Sequence, residues 1–70
     1  MGQWMVMAKS DSGQPTLREL RLDTQIGPTG PDLLTNRSEA QELADNFATR
    51  NNDKMTGGVT DWKGYIEWKD

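Results

Sequence analysis

The sequence contains neither cysteine nor histidine. A disulfide is therefore impossible, and a zinc site of the usual Cys/His type is excluded. The commonest general base, the thiolate nucleophile and the commonest metal ligand are missing with them. Long apolar runs are also lacking. No stretch approaches the ~20 residues of a membrane helix. The opening Met1-Gly2-Gln3-Trp4-Met5-Val6 is too short, and has no basic lead, for a signal peptide. Gly2 does not begin a myristoylation motif, because Val6 stands where that motif carries Ser or Thr. The expectation is a cytoplasmic protein with no membrane association, which the lack of Cys also fits. Without an export signal, Asn36-Arg37-Ser38 is a chance match to the glycosylation sequon.

Eleven acidic and eight basic residues give a net charge of −3. That balance serves solubility. It lacks the basic excess of a protein that grips nucleic acid by neutralising phosphates. Seventy residues make a single domain, 1–70. A chain this short buries only roughly 60% of the surface its unfolded form exposes. With a hydrophobic fraction of 33% that includes three Trp, the core must rest on a few large side chains.

Residues 3–9 read as a strand with Trp4 and Val6 on one face. Ser10 to Pro15 is a cluster of turn formers. Thr16 to Asp23 reads as the returning strand, with Arg18, Leu20 and Leu22 on one face and Leu17, Glu19 and Arg21 on the other. Thr24 to Asp32 holds two Pro and two Gly within five positions, which forbids helix and central strand alike. Leu33-Leu34 is expected to anchor the end of this loop. Asn36-Arg37-Ser38-Glu39 forms a capping box, with Thr35 or Ser38 as alternative caps. The helix then runs to about Arg50. Ala40, Leu43, Ala44, Phe47 and Ala48 make one apolar stripe. Asn51-Asn52-Asp53 ends it, since Asn tolerates a left-handed cap. Lys54 to Thr60 is a loop around Gly57-Gly58. Asp61 to Trp68 is the last strand, with Trp62, Gly64, Ile66 and Trp68 on one face and Lys63, Tyr65 and Glu67 on the other.

The order β-β-α-β predicts an α+β fold. One helix must cover one face of a three-stranded antiparallel sheet to hide its stripe. The expected strand order is 2-1-3, with a right-handed crossover carrying the helix. Trp4, Val6, Leu20, Leu22, Ile66 and Trp68 are expected to meet Leu43 and Phe47.

Nothing in this pattern forms a catalytic motif, so the expectation is a protein that is not an enzyme and holds no cofactor or metal. Thr56-Gly57-Gly58 is not a phosphate loop, because it follows a helix and precedes a strand, the reverse of that design. The informative feature is the sheet face away from the helix. Met5 and Met7 point that way, with Tyr65 on the neighbouring strand, Lys63 and Glu67 beside it, and Arg21 on the other side. Met and Tyr are residues of adaptable interfaces. Met5, Met7, Arg21, Lys63 and Tyr65 are therefore the candidate partner-binding residues. The expected partner is a protein. Pairing of an open edge strand offers a second route, including homodimers. One alternative is an oligomer that binds a small ligand or nucleotide in a pocket between copies, built from the Pro/Gly loop and the Gly57-Gly58 loop. Another is a binder of single-stranded nucleic acid through the sheet, for which one Tyr is thin.

The layout is a hairpin opening on Trp4, a helix entered through Asn36-Arg37-Ser38-Glu39-Ala40-Gln41, and a closing Trp62-Lys63-Gly64-Tyr65 strand. It resembles that of many small proteins of phages and mobile elements. The resemblance covers the whole chain but is one of architecture. It implies an inhibitor or modulator of a larger host protein or defence complex.

Overall fold

In a computed structural model of the chain, residues 2–12, 15, 18–22 and 36–70 are described. β1 spans Gln3–Ser10, β2 Arg18–Arg21, α1 Arg37–Asp53 and β3 Lys63–Lys69. The sheet is antiparallel in the order β2-β1-β3. The expected α+β architecture is therefore the observed one. The loop Thr24 to Asp32, Leu33-Leu34, and Thr16, Leu17 and Asp23 of the expected second strand lie outside the described residues. Within them, Leu22 extends the β2 pairing by donating its N–H to Val6 O at 3.0 Å.

The even residues of β1 face the helix. Val6 packs with Ala40 and Ala44, and Ala8 with Ala48, Val59 and Trp62. Ala40, Ala44 and Ala48 are the buried positions of α1. Leu43 and Phe47, expected to lead the core, lie on its margin and are only partly buried. Small side chains under the helix axis bring it down onto the sheet. The contact is closest at Gly64, where a Cβ would lie 2.6 Å from the backbone carbonyl of Ala44 and 2.7 Å from Asp45 N. No residue with a side chain fits there unless the helix moves.

The helix starts at the predicted Asn36 cap, with the Asn36 half of the expected capping box formed and no bond from the Glu39 side chain back to Asn36 N among the described residues. Asn36 Oδ1 accepts from Ser38 N at 2.9 Å and Glu39 N at 3.2 Å. Its end differs. Asn51 and Asn52 are helical, and α1 continues to Asp53. Their amides are used sideways: Asn51 Nδ2 donates to Phe47 O at 2.8 Å. Asn52 takes the Trp62 N–H on its Oδ1 at 2.6 Å and donates to Trp62 O at 3.0 Å. The left-handed residue is Met55, with φ 51°, followed by Gly57 at φ 68°.

That bidentate amide also explains why the last strand starts at Lys63 rather than Asp61. The backbone of Trp62 is paired with a side chain. Its indole is 4% exposed and donates Nε1–H to Thr56 O at 3.0 Å. Trp62 is thus the core tryptophan. Trp68, expected in that role, is 46% exposed. In the β1–β3 register the Trp4–Trp68 row follows Val6–Ile66 toward the start of α1, and Trp4 packs against the Val6, Ala40 and Ala44 cluster. The two indoles meet edge to face there, with centroids 5.0 Å apart, and the Arg37 guanidinium lies 5.9 Å from the Trp4 ring.

Candidate functional site

Because even residues of β1 face α1, its odd residues face the other way. The two registers then set the opposite face out in rows. Glu19, Lys9 and Lys63 share one row, and Arg21, Met7 and Tyr65 the next. Met5 and Glu67 follow, then Gln3 and Lys69. All five candidate residues, Met5, Met7, Arg21, Lys63 and Tyr65, therefore stand on one surface, as expected from strand alternation.

Their accessibility is not uniform. Tyr65 is 44% exposed, Arg21 and Lys63 are exposed, and Met5 is half-buried. Met7 is only 2% exposed, which corrects its placement as an exposed contact residue. It sits at the centre of the middle strand, between the long side chains of Arg21 and Tyr65. Met7 is thus a floor under the site rather than part of its surface.

Among the described residues, the face carries Lys9, Arg21, Lys63 and Lys69 against Glu19 and Glu67, two more cations than carboxylates, on a chain of net charge −3. Arg21 Nε is 3.2 Å from Glu19 Oε1, which engages that carboxylate. Lys9 Nζ lies 5.4 Å from the Tyr65 ring centroid. Sequence reasoning missed Lys9 as a member of this group. The signal was its odd position on β1, shared with Met5 and Met7.

A second polar cluster joins the end of β1 to the start of β3. Ser10 and Ser12 both donate their hydroxyls to Asp61 Oδ1, Ser12 at 2.7 Å. Ser10 is 1% exposed. These two donors hold the Asp61 carboxyl below its ordinary value, which makes it a weaker base. A buried hydroxyl beside a stabilised carboxylate is a clip between two chain segments, and poor equipment for nucleophilic attack.

No protein family, curated protein or solved structure matches this chain. Its function is therefore argued from its own geometry. Among the described residues, no group of three or more acidic side chains is placed to hold a metal ion, and no helix is long and apolar enough to cross a membrane.

Proposed function

We propose that this chain is a small non-enzymatic interaction module, an inhibitor or modulator of a larger protein, which docks through the sheet face opposite α1. The observation that carries this reading is Tyr65. It is a large aromatic at the middle of an edge strand, 44% exposed, beside a half-buried Met5. Aromatic anchors on a shallow apolar floor with a charged rim are the usual composition of interface hot spots. The lack of His and Cys supports the non-enzymatic part. The β3 edge is a weaker route to a homodimer. A two-fold pairing centred on Ile66 would set Lys63 of one copy opposite Lys69 of the other, and like charges in that position repel.

The test is capture from a host lysate by the wild type and by a Met5→Glu, Tyr65→Ala variant shown to be folded by circular dichroism. A stoichiometric protein held by the wild type and lost by the variant is the expected outcome. Equal capture by both would move the interface off this face.

A further inference from the structure

Lys9 and Lys63 are directly opposed across β1 and β3 on the same face. Like charges in that position destabilise a sheet. Among the described residues neither lysine has a carboxylate within ion-pair distance, and Glu19, the third member of the row, is engaged by Arg21. The adjoining row supplies Tyr65, whose ring the Lys9 ammonium approaches from the face. Among the described residues outside this face, carboxylates outnumber cations by three, so the cationic excess of the described residues is gathered on this surface.

We infer that Lys9 and Lys63 form a seat for a carboxylate, and that the partner presents an acidic residue next to an apolar one that packs on Tyr65 and Met5. The inference rests on the open face being the interface and adds the chemistry of what it binds. A carboxylate between the two ammonium groups would relieve their repulsion and complete the row. The surrounding negative charge favours a segment whose acids are concentrated in one short stretch over a uniformly charged polyanion. An acidic protein segment therefore suits this face better than a nucleic acid.

The probe is a synthetic peptide alternating glutamate and phenylalanine, titrated into the full chain and followed by NMR. Its glutamine counterpart, oligothymidylate and inorganic phosphate serve as comparisons. The glutamate peptide should shift the Lys9, Lys63 and Tyr65 side-chain signals. Lys63→Gln should weaken it about fivefold, as loss of one partly exposed ion pair does, and Lys63→Arg should retain it. Without any probe, Lys63→Gln should raise the thermal midpoint by removing the repulsion. Equal binding of the glutamate and glutamine peptides would overturn the seat, and so would a midpoint lowered by Lys63→Gln. Tighter binding of oligothymidylate or phosphate would replace the acidic segment with a phosphate ligand. If no probe binds while the lysate partner is still lost on Tyr65→Ala, the carboxylate seat fails and the docking face stands.

Discussion

Single side chains close this small fold where a disulfide is impossible. Asn52 acts as one residue of an extra strand, giving and taking one hydrogen bond with the Trp62 backbone. Asp61 gathers the hydroxyls of Ser10 and Ser12, and those donors lower its pKa in the folded state. A depressed carboxyl contributes stability that is complete above its unfolded value and is lost as pH falls through the folded one. The thermal midpoint should therefore drop on acidification through and below the ordinary carboxyl value of 3.8. The drop should be shallower in Asp61→Asn. Parallel curves for the two proteins would show that Asp61 does not carry this dependence. Neither Asn52 nor Asp61 is recognisable from local sequence. Asn in a helix's last turn and Asp before a strand both read as boundary residues, and their partners lie ten and about fifty positions away.

Among the elements, the contact between α1 and β3 is the most demanding. A Cβ at position 64 would meet backbone atoms of Ala44 and Asp45, which cannot rotate aside as a side chain can. Gly64→Ala should cost about 2 kcal/mol, within the usual range for overpacking. Urea denaturation would measure it. Because the opposing atoms are backbone, Ala44→Gly should not rescue the variant, and recovery in the double mutant would refute this geometry. The apolar stripe of α1 was legible from its spacing. Which stripe residues form the centre was not, because periodicity ranks positions by direction and not by distance from the sheet. The alanines sit under the axis while Leu43 and Phe47 flank it.

Across the whole molecule, the core forms two neighbouring clusters that draw on the same elements. One holds Ala8, Ala48, Val59 and Trp62; the other holds Val6, Ala40 and Ala44. β1 and α1 supply residues to both, so neither cluster can open alone without breaking the pair. Unfolding should be two-state. In a Trp4→Phe, Trp68→Phe variant, the emission of Trp62 and the far-UV circular dichroism should follow the same denaturant transition. Separate midpoints would mean that the Trp62 end opens independently. Charge is also distributed at this scale. Among the described residues of this net-negative chain, strand alternation places Lys9, Arg21, Lys63 and Lys69 on the same side of the sheet.

The sequence by itself determined the order of elements, the helix start at Asn36 and the two faces of each strand. These follow from capping chemistry and from the periods of helix and strand, which act over a few residues. It also determined which side chains share the candidate face. Only the tertiary structure decided how deep each of them lies. Met7 is buried although it shares its face with exposed Tyr65, and Trp68 is half-exposed although it shares its face with buried Trp62. Trp62 is the core tryptophan because Asn52, Thr56 and α1 close around it. Burial depends on which elements end where, and that is fixed by contacts between segments far apart in the chain.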